Sequence, residues 1–120
     1  MLPLVRSGEP VLIPQDEQNL LVRLTEVNEP IRAIGMRFTV PAGTVVTSIE
    51  PRSIFESAFL SWHQESDTLY IITVLDEEQV VTQDTDVVLI RGITEAELEG
   101  TNLVSADGPI FSTYLPFIQK

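Results

Sequence analysis

Cysteine is absent from the 120 residues, and tryptophan and histidine occur once each, as the neighbours Trp62 and His63. Without cysteine there is no disulfide framework, no thiolate metal site and no thiol nucleophile. One histidine leaves a single imidazole for base catalysis or metal ligation. Glycine is sparse and scattered, at positions 8, 35, 43, 92, 100 and 108, so no glycine-rich loop exists to cradle a phosphate. Long apolar runs are missing too. The opening MLPLVRSGEP has one arginine and a four-residue apolar set broken by Pro3, which is neither a secretory leader nor a membrane span. Read with Met1 as the natural start, this predicts synthesis in a cytoplasm without export.

Basic residues are the other scarcity. Seven lysines and arginines stand against eighteen acids, a net charge of −11. The imbalance is uneven: residues 1–52 carry five arginines against six acids, whereas residues 53–120 carry Arg91 and Lys120 against twelve acids. Such a surface repels phosphate backbones and anionic lipid, which excludes nucleic acid and membrane as partners. A solvated acidic face that keeps the protein soluble accounts for the charge. A basic partner surface is the sharper use of it. The length predicts one domain over residues 1–120, large enough to bury roughly two-thirds of its unfolded surface without a metal or a disulfide.

What is present is strand pattern. NLLVRLTEV (Asn19 to Val27) alternates, with Leu20, Val22 and Leu24 on one side and Arg23 and Thr25 on the other. RAIGMRFTV (Arg32 to Val40) puts Ile34, Met36, Phe38 and Val40 on one face, and Asn28-Glu29-Pro30 reads as a turn joining the two as a hairpin. TVVTSIE follows Pro41-Ala42-Gly43 with Val45 and Ile49 expected inward. LYIITVL (Leu69 to Leu75) and DVVLIRGI (Asp86 to Ile93) are rich in β-branched residues and read as central strands covered on both sides. PIFSTYLPFI has prolines near both ends, as an edge or terminal strand does. Helix signals are short: capping boxes at Thr94/Glu97 and at Ser53/Glu56. The second predicts a turn or short helix near 53–57, followed by a hairpin through Glu65-Ser66-Asp67-Thr68; the helical spacing of Ile54, Phe55, Ala58, Phe59 and Trp62 leaves a helix through to Trp62 as the alternative. The fold class is therefore all-β, an antiparallel β-sandwich or jelly roll of about eight to nine strands with at most one or two short helical turns.

The series LLVRLTEV, IRAIGMRFTVP, TVVTSIEP, DTLYIITVLD, TDVVLIRGI and NLVSADGPIFS resembles the cohesin and carbohydrate-binding-module-like β-sandwich superfamily. The resemblance spans residues 8–112 and includes the late Ala106-Asp107-Gly108-Pro109-Ile110 turn. It departs from the family pattern in its trimmed loops and in Val40-Pro41-Ala42-Gly43, where members carry a Tyr-Asp-Pro-like step. It implies a non-catalytic module that binds another protein or, less often, a polysaccharide.

Chemistry is hard to build from these residues. His63 is the only histidine base for a serine or threonine nucleophile, and its strand neighbour Trp62 points the opposite way, so a buried Trp62 leaves His63 exposed. No G-x-S-x-G elbow occurs. Among eighteen acids some pair meets almost any carboxylate spacing, so pairing carries no signal for glycoside hydrolysis. Asp76-Glu77-Glu78 and Asp84-Thr85-Asp86 flank one excursion between strands and offer oxygens for calcium, though a solvated acidic loop explains them as well. No cofactor is indicated. Phe59 and Trp62 are expected to anchor one side of the core or the rim of the sandwich. Tyr70 is placed outward, since Leu69 and Ile71 share one face and Tyr70 and Ile72 the other. As candidate partner-contact residues the apolar ends stand out: Leu2, Leu4, Val5, Tyr114, Leu115, Phe117 and Ile118. The resulting expectation is a non-enzymatic structural or assembly protein that contacts other protein subunits or copies of itself. Its most concrete version is a virion capsid decoration protein. The alternative is a secreted cohesin-like or carbohydrate-binding adhesion module, which would take a protein or a glycan and would be extracellular.

Overall fold

In the computed structural model, residues 8–76 and 78–105 are described. They fold into two four-stranded antiparallel sheets packed face to face, with strand orders β1-β2-β7-β4 and β5-β6-β3-β8. The strands are β1 (Glu9–Asp16), β2 (Asn19–Thr25), β3 (Ile31–Thr39), β4 (Ser48–Pro51), β5 (Phe59–Glu65), β6 (Thr68–Val74), β7 (Thr85–Arg91) and β8 (Glu97–Ser105). The single helical element among the described residues is a 3-10 turn, Ser53–Ser57. The all-β sandwich read from the strand pattern is the architecture observed. The apolar ends Leu2, Leu4, Val5, Tyr114, Leu115, Phe117 and Ile118, the 106–110 turn and the PIFSTYLPFI strand lie outside the described residues.

Alternation places the core. Leu20, Val22 and Leu24 of β2, Ile34, Met36 and Phe38 of β3, Leu69 and Ile71 of β6, and Val88 and Ile90 of β7 meet between the sheets and are buried. Phe55, on the 3-10 turn, closes the same core and is fully buried. Burying such side chains contributes about 1.5–3 kcal/mol each. Within the core only Thr73 is a buried polar residue, and its Oγ1 has no hydrogen-bond partner.

Four local expectations are corrected. The segments 19–27 and 32–40 are not a hairpin: β2 pairs with β1 and β7, whereas β3 pairs with β6 and β8 in the other sheet. The hairpin partner of β2 is β1, which sequence reading missed because Pro10 and Pro14 interrupt its pattern; on an edge strand those prolines forfeit little pairing. Asp16 fixes the β1–β2 turn by accepting from the Gln18 backbone N–H and the Asn19 amide, while Glu26, with φ 56°, starts the crossing to the second sheet. Val45 is 69% exposed rather than inward; the strand begins at Ser48, and it is Val46 that is buried. The Thr94/Glu97 capping box makes no helix, because Glu97 begins β8 and pairs with Thr39; ladder pairing along β3 outweighs a weak local helix signal. β6 is covered on one side only: its burial alternates, with Tyr70 exposed and Ile72 half-buried. β7 is buried from Val87 to Ile90, as its apolar run predicts.

The segment 53–65 follows the expectation of a short helix and then a hairpin. The 3-10 turn starts after Arg52 without a side-chain cap, so the Ser53/Glu56 box does not form. β5 then pairs with β6 through a tight turn at Ser66 and Asp67, with Ser66 at φ 58°.

Candidate functional site

Each sheet has one face turned to the core and one turned outward, and the two outward faces differ in chemistry. On β1-β2-β7-β4 the charges are spent on one another. Arg23 Nε bonds Asp86 Oδ1 at 2.6 Å. Arg91 bonds Glu50, which also holds Arg52 at 3.5 Å. Leu21 and Leu89, paired across β2 and β7, are buried on this face. These contacts set the ionisation of the groups. The hydrogen bond from Arg91, with the charges of Arg91 and Arg52 beside it, holds the Glu50 carboxyl below the usual glutamate range. The Gln18 N–H and Asn19 amide do the same for Asp16. Arg23 and Arg91 are raised in turn, chiefly by their hydrogen bonds to Asp86 and Glu50.

Of the acids considered for calcium, Asp84 and Asp86 have structural partners. Asp86 is paired with Arg23, and Asp84 Oδ1 accepts from the Glu26 backbone N–H at 3.1 Å. Among the described residues no group of three metal-ligating side chains comes together.

The outward face of β5-β6-β3-β8 is built as four cross-strand rows. The first is Phe59, Val74, Ala33 and Val104; the second is Ser61, Ile72, Gly35 and Asn102. The third is His63, Tyr70, Arg37 and Gly100, and the fourth is Glu65, Thr68, Thr39 and Glu97. The rows therefore grade from apolar, through aromatic and cationic, to acidic; Ala33 and Val104 of the first row are buried, with Val74 packed against them, which leaves Phe59 as its exposed residue. Phe59 is 54% exposed and Tyr70 42%. The expectation that Phe59 anchors the core is thus overturned: one residue of offset in β5 puts Leu60 and Trp62 inward and Phe59 outward. Trp62 is half-buried against the core and His63 is exposed, as the alternation required. Gly100 leaves its place on β8 without a side chain, and the Arg37 guanidinium lies beside it, its Nη2 3.6 Å from where a Cβ would stand. Thr39 Oγ1 donates to Glu99 across the lower end.

Arg37 is distinctive. Of the five arginines among the described residues, Arg23, Arg52 and Arg91 are ion-paired and Arg32 donates to the Asp76 carbonyl. Arg37 is exposed and makes no ion pair or hydrogen bond among the described residues. Sequence reading named Tyr70 on this face and missed Phe59 and Arg37. The signal for both was strand parity, which becomes usable once the first residue of β5 and the partners of β3 are known.

The edge of this sheet is tied to the loop that precedes β4. Gln64 points inward from β5; its Nε2 donates to the Thr44 carbonyl at 2.9 Å and the Ser66 carbonyl at 3.0 Å, and its Oε1 accepts from the Val46 N–H at 2.8 Å.

No protein-family model and no curated protein matches the chain. Solved structures do. A non-cellulosomal cohesin from the hyperthermophilic archaeon Archaeoglobus fulgidus superposes with a TM-score of 0.68 at 14% identity, covering 85% of this chain and 80% of that one. A chain from a cohesin–dockerin complex superposes with a TM-score of 0.50 at 14% identity, covering 78% of this chain and 65% of that one. The fold is a cohesin-like β-sandwich.

Proposed function

We propose that this is a non-catalytic protein-binding module whose outward β5-β6-β3-β8 face takes the partner. The observation that carries the reading is the contrast between the two outward faces. One has its arginines paired internally. The other exposes Phe59 and Tyr70 together with Arg37, which makes no ion pair or hydrogen bond among the described residues. An aromatic and arginine patch with a polar rim is the composition of a protein interface. The cohesin-like fold supports protein binding, since one of the similar structures is a complex of a cohesin with a dockerin. The same likeness favours the cohesin-like reading over attachment to a virion.

The test is site-specific photo-crosslinking in extract of the source cells, with benzoylphenylalanine at 59, at 70 or, on the opposite sheet, at Val11. A discrete adduct from positions 59 and 70, absent from position 11, is expected. Tyr70→Ala and Arg37→Glu should then each weaken binding of the identified protein by about tenfold or more, as hot-spot residues do. Equal adducts from position 11, or binding untouched by both substitutions, would reject the assignment.

A further inference from the structure

Beside the free edge of β5 lies a cavity of about 690 Å³, open to solvent and lined by Thr44, Val45, Trp62, His63, Gln64 and Asp67 among others. We propose that it binds a cationic side chain, arginine or lysine, presented by a partner polypeptide.

Three observations support this. First, the cavity is built rather than incidental. Two hydrogen bonds of Gln64, one to the Thr44 carbonyl and one from the Val46 N–H, clamp the 44–46 segment onto the end of β5, and its third, to the Ser66 carbonyl, holds the turn, so both walls are held before any ligand arrives. Its volume lies in the range of preformed ligand sites, about 300–1,000 Å³.

Second, the lining matches a long cation. Val45, 69% exposed, and the half-buried Trp62 offer apolar surface for an aliphatic stem, and an indole attracts a cation placed over its face. The Asp67 carboxylate makes no ion pair or hydrogen bond among the described residues and stands available for a guanidinium or ammonium group.

Third, the charge around the cavity is one-sided. Among the described residues no lysine or arginine lines it. Glu65 is exposed on the adjoining strand end, and the chain carries a net charge of −11. Anionic ligands are repelled. A neutral glycan would find a single half-buried indole rather than an exposed aromatic platform. His63 belongs both to the cavity lining and to the third row of the outward face. The cavity is thereby continuous with the proposed protein-binding face, and the inference rests on that reading for the kind of molecule that delivers the cation.

The experiment needs no native partner. Two capped peptides, acetyl-Gly-Arg-Gly-amide and acetyl-Gly-Gln-Gly-amide, are titrated into the full chain at about 0.15 M salt, where distant charges are screened. Emission of Trp62, the only indole, and amide shifts report the site. The arginine peptide should give saturable changes centred on residues 42–46 and 62–67, with the glutamine peptide at least about fivefold weaker. Asp67→Asn should weaken the arginine peptide about tenfold, the effect of losing about one charge-assisted contact. Glu9→Gln, on β1 of the opposite sheet, should leave it unchanged. Equal response to both peptides, shifts spread over the 76–86 acidic loop, undiminished binding by Asp67→Asn, or a stronger response to maltohexaose would overturn the proposal. Those failures would leave the crosslinking result at Tyr70 standing, so the cavity and the sheet face are judged separately.

Discussion

Gly92 and Gly43 make a controlled pair, because both hold positive φ and only one is crowded. Gly92, at φ +104°, follows β7 where the chain passes the 45–47 segment; a Cβ there would stand 2.8 Å from the Val45 carbonyl oxygen and 3.1 Å from the Thr47 nitrogen. Gly43, at φ +82°, has nothing within 4 Å of the same position. Forcing an L-residue into positive φ costs about 1–2 kcal/mol, and this is all that Gly43→Ala should lose. Gly92→Ala incurs that cost and a clash with backbone atoms that cannot rotate away. Thr47 N–H is bonded to the Arg91 carbonyl at 2.9 Å and Gly92 N–H to the Gln18 carbonyl at 2.7 Å, so the surrounding segments are pinned. Overpacking of this kind adds about 1–3 kcal/mol, which places Gly92→Ala near 3 kcal/mol in total. In urea the Gly92→Ala midpoint should fall clearly below that of Gly43→Ala at unchanged m, and its melting temperature should drop by roughly 4–8 °C per kcal/mol. Because Val45 and Val46 wall the cavity, amide shifts in the Gly92→Ala variant should concentrate at 44–47 and reach Gln64. Equal midpoints for the two variants would refute the claim that backbone contact with Val45, rather than φ alone, requires glycine at 92.

Thr73→Val keeps the branched shape but removes a buried hydroxyl without a partner, so it should raise stability by about 1 kcal/mol; a lower urea midpoint would mean that the hydroxyl is satisfied in solution. Acid should destabilise the sandwich through Glu50 and Asp16. Their carboxyls are held below the usual range in the folded chain, so their contribution is complete above the unfolded values. It is lost as pH falls below about 4 and through the lower folded values. Glu50→Gln should flatten part of that acid limb, as read from urea midpoints at neutral and acid pH, and a limb as steep as in the parent would exclude Glu50 as a source.

Legibility in the sequence followed the range of each interaction. Strand parity is local, and it placed the inward faces of β2 and β3 and the outward side of Tyr70, while the continuous apolar run of β7 marked its burial but overstated that of β6. Pairing is not local. The NEP turn between β2 and β3 looks like a hairpin closure, yet Glu26 in a left-handed conformation sends the chain across to the other sheet. Nothing within residues 26–30 distinguishes the two outcomes, since the choice depends on β1 and β7 occupying both edges of β2. The candidate site failed to appear for the same reason. Arg37 resembles every other exposed arginine in the sequence. It becomes distinctive only when Arg23, Arg52 and Arg91 find acids 63, 2 and 41 positions away and it does not. Phe59 likewise reads as core from its neighbours Phe55 and Trp62; only the end of the 3-10 turn at Ser57 sets the parity of β5 that turns Phe59 outward. The surface proposed to bind is defined by what pairing among the described residues leaves unused. That is why both the sheet face and the cavity emerge from the hydrogen-bond and ion-pair accounting of the whole sandwich, and from no motif in the chain.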